Sequence, residues 1–154
     1  MSTSYVVSAS GSIDAPPERV YSIIADYHDG HPHILPKEFR NLIVEKGGVG
    51  AGTVIRFEVR AYGTTTRFKS VISEPEPERV LVEENIEPAP ARTTFTVVKN
   101  ASSPGTTVTF TTEMTSRGGL VGALERFLSR RLLRRLYAEE LALLAARAEA
   151  RSAN

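Results

Sequence analysis

The sequence predicts an α+β fold, in which a curved antiparallel sheet of seven strands wraps around a long C-terminal helix. Six segments beyond residue 41 alternate between apolar and polar side chains and are separated only by turn sequences. Such strands pair antiparallel, because a parallel connection needs a crossover of about a dozen residues or more. Beyond residue 119 the chain has no proline and is rich in Leu, Ala, Arg and Glu, which is typical of a helix.

The chain before these six segments predicts one strand and two short helices. Residues 5–13 alternate between apolar and polar side chains, as a half-buried strand does. Asp14 precedes two prolines in a pattern typical of a helix start, so a short helix is expected over about residues 16–25. Residues 26–39 contain Gly and Pro among apolar side chains, which favours a broken or very short second helix over a strand.

Alternation along the later strands predicts one sheet face of buried apolar side chains, the dry face, and one face of solvated polar side chains, the wet face. The predicted strands are residues 42–46, 53–62, 64–73, 79–86, 92–99 and 106–115. In the fifth strand of the chain, residues 79–86, two registers remain open. One register puts Glu84 on the dry face, and the other puts Leu81, Glu83 and Asn85 there.

The last helix carries two apolar stripes at different angles around its axis. At about 100° per residue, the first stripe consists of Leu120, Val121, Leu124, Phe127 and Leu128. The second stripe lies roughly opposite and consists of Leu132, Leu133, Leu136, Tyr137, Leu143 and Leu144. The two stripes of a straight helix cannot both face one flat surface, so a bend or a change of packing partner is expected near residues 129–131.

The composition indicates one domain, residues 1–154, and excludes chemistry that depends on cysteine. The 154 residues, of which 41% are hydrophobic, are sufficient for one buried core. Since 19 Lys and Arg residues balance 18 Asp and Glu residues, the net charge of +1 gives no field that would attract nucleic acid. The absence of Cys excludes disulfides, thiolate catalysis and Cys-based zinc sites. No leader or membrane-spanning stretch is readable, so a cytoplasmic location is expected.

The order of elements resembles the helix-grip architecture of the START and Bet v 1-like superfamily. More narrowly, the opening SGSIDAPPERVYSIIADY and the tail GGLVGALERFLSRRLLRRLYAEEL are similar to its polyketide cyclase/dehydrase-type branch. The glycine-rich residues 47–52 are similar to a loop of Bet v 1-like proteins and are interpreted as a hairpin, since they match no phosphate-binding motif. The resemblance implies a cavity between sheet and helix. Superfamily members bind lipids, steroids, polyketides and plant hormones, and a few catalyse aromatisation or dehydration.

The dry sheet face and the segment after the first helix predict the wall of this cavity. The expected ligand-binding residues are Tyr27, His31, Ile34, Leu35, Phe57, Val59, Phe68, Phe95, Phe110 and Met114. Because almost all of them are aliphatic or aromatic, the expected function is to bind or carry a small apolar or amphipathic molecule that resembles a lipid or polyketide. No cofactor is expected.

The alternative function is that of a cyclase, aromatase or dehydratase acting on a polyketide-like substrate. Its acid/base candidates are His31, in the segment that closes one end of the cavity, and Glu84, if that side chain faces inward. The sequence contains no evident nucleophile and no convincing pair of titratable groups. Binding is therefore favoured over catalysis, and whether the protein is an enzyme stays open.

The three histidines also suggest a competing interpretation as a metal site. His28, His31 and His33 lie on one irregular segment, and neighbouring positions of such a segment rarely converge on one ion. Zinc sites usually combine ligands from two elements. We therefore predict no metal site, and we expect His28 and His33 to face water.

Five arginines crowd one part of the last helix, residues 126–135. They are Arg126, Arg130, Arg131, Arg134 and Arg135. The first interpretation is a solvated helix face, and the second is contact with an anionic membrane surface. Nucleic acid is not an expected partner, because the sheet aromatics lie on the dry face and not among basic residues. A third function, that of a partner-binding module, would need a large exposed apolar patch.

Overall fold

The computed structural model describes residues 2–152 and confirms the predicted fold class. The elements are β1 (Ser2–Ile13), α1 (Pro17–Ala25), a 3-10 helix (His31–Ile34), β2 (Phe39–Lys46), β3 (Val54–Ala61), β4 (Thr64–Glu76), β5 (Val80–Glu87), β6 (Ala91–Lys99), β7 (Thr106–Arg117) and α2 (Gly119–Ser152). The two short helices expected between the first two strands are present. Neither they nor α2 combine the length and apolar character that a membrane-spanning helix needs.

The seven strands form one antiparallel sheet in the order β1-β7-β6-β5-β4-β3-β2. Consecutive strands from β2 to β7 are neighbours in the sheet, whereas β1 pairs with the distant β7, from Ser2 opposite Arg117 to Ile13 opposite Thr106. α2 packs beside β1 and β7, and its Leu144 is fully buried in the same core as the inner sheet face. The sheet and α2 therefore enclose one apolar core.

The register of β5 decides which acidic side chains face α2. Leu81 lies directly opposite the buried Phe95 of β6. Directly opposed residues of antiparallel strands share a face, so alternation turns Glu83 inward and Glu84 outward. Glu84 is exposed, and its Oε1 lies 3.2 Å from Nη2 of Arg92. The register that put Glu84 on the dry face is wrong, and the competing register is confirmed.

The glycine-rich loop, residues 47–52, connects β2 to β3. Backbone amides at its tip donate hydrogen bonds to neighbouring elements. Gly50 has a positive φ of 67°, which favours glycine, and a Cβ at this position would displace the carboxylate of Glu74. The Gly50 amide donates to the Ala25 carbonyl at 2.9 Å, and the Ala51 amide donates to Glu74 Oε1 at 2.7 Å. The loop thus ties the end of α1 to β4.

The two apolar stripes of α2 have different surroundings. In the first stripe, Leu120 is 91% exposed and Leu124 and Phe127 are each 59% exposed. In the second stripe, Leu136 and Leu144 are buried. As predicted, the two stripes therefore do not pack on one common surface, and the first stripe is largely exposed. α2 is one uninterrupted helix from Gly119 to Ser152, and the bend stays a prediction.

Candidate functional site

A cavity of about 430 Å³ lies between the inner face of the sheet and α2. Most of its wall is apolar, and the large side chains that form it include Phe57, Phe68, Met114, Leu133 and Leu136. Tightly packed protein interiors have few voids larger than one water molecule. A space of this size is therefore a ligand-sized cavity and not a packing defect.

Most of the residues predicted for the cavity wall line it. They are His31, Leu35, Phe57, Val59, Phe68, Phe95 and Met114. The other three predicted residues, Tyr27, Ile34 and Phe110, are buried behind the wall. Phe110 packs edge-on against Phe95 with ring centroids 4.8 Å apart, and Tyr27 stacks on His31 with ring centroids 4.5 Å apart. These two rings therefore support the wall and do not form its surface.

The cavity has an exposed end and a buried end. Tyr62 and Leu128 line it at positions that are 64% and 36% exposed, and we call this end the mouth. The Tyr62 hydroxyl donates to the Leu128 carbonyl at 3.3 Å, so the β3–β4 turn contacts α2 here. At the other end, His31 and Glu140 are 2% and 3% exposed, and we call it the closed end.

Stacked phenylalanines form the β3–β4 part of the wall. Phe57 and Phe68 are directly opposed in the sheet, and their ring centroids lie 5.2 Å apart at an interplanar angle of 16°. Phe39 of β2 contacts Phe57 with a centroid distance of 5.9 Å. Because strand alternation turns all of these rings inward, the sequence pattern that predicted the dry face also produces a continuous aromatic surface.

His31 at the closed end has a fixed orientation. Its Nδ1 lies 2.8 Å from the carbonyl oxygen of Ile24, and because a carbonyl only accepts, Nδ1 carries a proton. One face of the ring stacks on Tyr27, and Phe95 meets the ring edge-on with centroids 5.7 Å apart. The ring therefore directs Nε2 toward two carboxyl groups.

These carboxyl groups belong to Glu83 of β5 and Glu140 of α2. Glu83 Oε1 lies 3.5 Å and Glu140 Oε1 lies 3.9 Å from Nε2 of His31. The Tyr27 hydroxyl donates to Glu83 Oε1 at 2.6 Å. Burial, and secondarily the charge of Glu83, raise the pKa of Glu140 well above its ordinary value. Glu140 therefore retains its proton to a higher pH than an exposed carboxyl would.

A row of hydroxyl groups from three elements adds further polar atoms to the wall. Thr93 and Thr112 are hydrogen-bonded with 2.9 Å between their Oγ1 atoms, and Thr112 is also hydrogen-bonded to the hydroxyl of Tyr137. All three side chains line the cavity. The wall thus combines an apolar surface with hydroxyl, carboxyl and imidazole groups.

Glu140 and Tyr137 were not predicted as site residues, and Glu83 appeared only in the register that remained open. Leu133, Leu136, Glu140 and Leu144 follow one another at spacings of three and four residues, and Tyr137 lies four residues after Leu133, so all five share one helix face. A carboxylate within an apolar stripe was the signal for Glu140. Glu84, the other acid/base candidate, lies on the outer face of the sheet and is excluded from the cavity wall.

The remaining histidines face solvent, as expected. His28 and His33 are exposed, and Nε2 of His33 lies 3.4 Å from Oδ1 of Asp29. Within residues 2–152, no three His, Asp or Glu side chains are arranged so that they would hold a metal ion. The absence of metal binding stays a prediction.

Sequence and structure comparisons identify related proteins. Residues 5–149 match the profile of the family described as polyketide cyclase / dehydrase and lipid transport. No curated protein matches the chain significantly. The solution structure of the KanY protein is 25% identical, has a TM-score of 0.83, and aligns over 96% of this chain and 99% of its own. The crystal structure of TTHA0849 from Thermus thermophilus is 26% identical, has a TM-score of 0.77, and aligns over 96% and 99%.

A more distant structure carries an enzyme name. The Zhui aromatase/cyclase from Streptomyces sp. R1128 is 18% identical, has a TM-score of 0.79, and aligns over 97% of this chain and 96% of its own. At this identity the likeness shows a shared fold. The superfamily resemblance predicted from the sequence is confirmed, and because the family profile covers most of the chain, the protein belongs to the polyketide cyclase/dehydrase and lipid transport family.

Proposed function

We propose that the protein binds a small amphipathic molecule in the cavity between the sheet and α2. The observation that carries the proposal is the ligand-sized space of about 430 Å³, which has an apolar wall and a polar closed end. An apolar body would lie against Phe57, Phe68 and Met114. A polar head group would reach His31 and Glu140.

The physical basis of the proposal is the cost of an empty apolar cavity. The wall loses dispersion contacts wherever it faces empty space, and water gains little hydrogen bonding against Phe57 and Phe68. An apolar ligand restores these contacts and removes its own surface from water, at about 25 cal/mol per Å² of buried apolar area. The few polar groups at the closed end would orient the ligand.

The test fills the cavity and measures uptake of N-phenyl-1-naphthylamine, a neutral fluorescent probe of apolar sites. Ala61→Phe adds a ring to a residue that lines the cavity near its mouth. Val98→Phe adds the same ring at a position on β6 that is 41% exposed, and serves as the control. We expect the wild type and the Val98→Phe variant to bind the probe, and Ala61→Phe to bind it at least about tenfold more weakly.

Failure of the wild-type protein to take up the probe would contradict a binding function for the cavity. Equal probe affinities of the Ala61→Phe variant and the wild type would contradict the location of the site. Circular dichroism and urea unfolding of both variants establish that each is folded before the affinities are compared.

A second candidate is acid–base catalysis on a polyketide-like substrate, which the proximity of Glu140 to His31 favours. A carboxylic acid that stays protonated beside an imidazole matches the needs of a cyclisation or dehydration, in which one group donates a proton and another removes one. In this candidate Glu140 replaces Glu84 as the carboxyl group. If a poly-β-ketone thioester is turned over, Glu140→Gln should lower kcat by about 10² to 10⁴ while probe binding persists.

We further propose that the exposed stripe of α2 contacts an anionic membrane surface, beside the mouth. Leu124 and Phe127 are exposed, and Arg131 and Arg134 follow them seven residues later on the same helix face. Apolar side chains next to arginines suit the boundary between acyl chains and anionic head groups. Because Leu128 of the same helix lines the mouth, this contact would bring the cavity to the source of an amphipathic ligand.

A further inference from the structure

The closed end of the cavity brings two carboxyl groups and an imidazole together. His31 donates Nδ1–H to Ile24, which leaves Nε2 to face the carboxyl groups. The nearest carboxyl oxygens of Glu83 and Glu140, at 3.5 and 3.9 Å, are too far from this nitrogen for a direct hydrogen bond. Tyr27 donates to Glu83. Three polar groups from three elements therefore converge on one place.

Glu140 distinguishes a ligand site from an internal ion-pair network. It is 3% exposed and lines the cavity, and within residues 2–152 no hydrogen bond reaches its carboxyl group. Nearly all buried polar side chains in folded proteins have a hydrogen-bond partner. The missing partner of Glu140 is therefore expected to come from the molecule that occupies the cavity.

The charges of the wall restrict the chemistry of that molecule. Of the described residues that line the cavity, Glu83, Glu125 and Glu140 are acidic and none is Lys or Arg. Glu125 lies toward the mouth and is bonded to Arg117, whereas the basic group beside Glu83 and Glu140 is the His31 ring. Two ionised carboxyl groups buried side by side are costly without a cation, and the raised pKa of Glu140 is consistent with that cost.

We propose that the closed end binds a protonated amine, so that the ligand is an apolar molecule with one ammonium group at its end. This inference rests on the proposed function and names its ligand class. An ammonium carries three N–H donors and one positive charge, which match the carboxylate of Glu83, Nε2 of His31 and the carboxylate that Glu140 presents once the cation has displaced its proton. An alcohol would supply one donor and no charge. A carboxylate, sulfate or phosphate would meet two glutamates and no fixed cation.

The experiment compares three molecules that differ only in the head group: octylamine, octan-1-ol and octanoate. Calorimetric titrations near neutral pH give the affinity of each for the intact protein. We expect octylamine to bind at least about tenfold more tightly than octan-1-ol, and octanoate to bind most weakly. Glu140→Gln and Glu83→Gln each remove one carboxylate with little change of shape. Both should reduce the ratio of the affinity for octylamine to the affinity for octan-1-ol by about tenfold.

Glu84→Gln is the matched control, because it makes the same change on the same strand at an outward-facing position. This variant should retain the wild-type order of affinities. Equal binding of the three molecules by the wild type, or tightest binding of octanoate, would overturn the amine proposal alone. Binding of none of them, together with no uptake of the neutral probe, would overturn the proposed function as well. Retention of the full octylamine preference by both glutamate variants would also overturn the amine proposal.

Discussion

The two parts of α2 are both rich in Leu and Arg but have opposite environments. Residues 119–131 expose Leu120, Leu124 and Phe127, whereas residues 132–148 bury Leu144 and Ala148. Residues 119–131 contain two glycines and one alanine, whereas residues 132–148 contain no glycine and five alanines, so helix propensity is higher in the second part. The surface below each part also differs: the first part borders the mouth of the cavity, whereas the second part lines the rest of the cavity and packs on the core. The second part therefore both stabilises the fold and forms the binding site, and the first part leaves an apolar stripe exposed beside the mouth.

The largest expected effect compares the two parts of α2 by the free energy of unfolding that a substitution in each part costs. Leu144→Ala removes a fully buried side chain and should lower the free energy of unfolding by about 2–5 kcal/mol. Leu124→Ala makes the same chemical change in the exposed part and should alter it by less than about 0.5 kcal/mol. Urea unfolding monitored by circular dichroism measures both. Similar losses in the two variants would mean that the first stripe is also covered in solution.

The next effect concerns the carboxyl group that the second part of α2 buries. The pKa of Glu140 is raised above its ordinary value of 4.5 in the folded protein, so the folded state holds a proton that the unfolded state has released. Stability should therefore fall as the pH rises from about 4.5 toward the folded pKa, by up to about 1.4 kcal/mol per pH unit. Unfolding free energies of the wild type between pH 5 and 8 measure this slope.

Glu140→Gln should remove the contribution of Glu140 to the pH dependence of the unfolding free energy. Glu139→Gln provides the control, because the side chain of Glu139 is next to Glu140 in the sequence but is exposed. The Glu139→Gln variant should keep the pH dependence of the wild type. An unchanged slope in Glu140→Gln would show that the carboxyl group titrates normally, and the buried and exposed parts of α2 would then differ in packing alone.

The smallest expected effect tests the exposed part directly. Phe127→Asp should weaken co-sedimentation with vesicles that contain about one-third anionic lipid by roughly tenfold, because it removes an apolar contact and adds a repulsive charge. Ala142→Asp adds the same charge to an exposed position in the second part of α2 and should leave vesicle binding nearly unchanged. Added salt should weaken the wild-type interaction. Equal effects of the two substitutions, or equal binding to neutral vesicles, would exclude the exposed stripe as a specific membrane contact.

Strand alternation was sufficient to predict the sheet but not the face of every acidic residue. Along β3 the inward positions are apolar or aromatic and the outward positions largely charged, and the pattern predicted that Phe57, and Phe68 on β4, face inward. In β5, Leu81 and Val82 point to opposite faces and both are buried. Hydrophobicity therefore did not identify the inner face, and pairing with Phe95 was needed to turn Glu83 inward and Glu84 outward.

The closed end of the cavity was beyond a sequence-based prediction because its groups come from three distant parts of the chain. His31 follows α1, Glu83 belongs to β5 and Glu140 belongs to α2. Each was visible singly as a polar residue near apolar ones. Their distances of 3.5 and 3.9 Å depend on the register of β5 and on the rotation of α2 about its axis. Neither quantity is fixed by local periodicity.

The pairing of β1 with β7 also has a consequence for the way the protein forms. Ser2 lies opposite Arg117, so the strand made first finds its sheet partner only after nearly all of the sheet has been synthesised. At about 5–20 residues per second, this delay is on the order of ten seconds. Contacts between such distant residues also slow folding, since the long intervening segment must be ordered first. Newly made chains therefore pass through a period in which β1 is unpaired, and this strand is the segment most exposed to misassembly during synthesis.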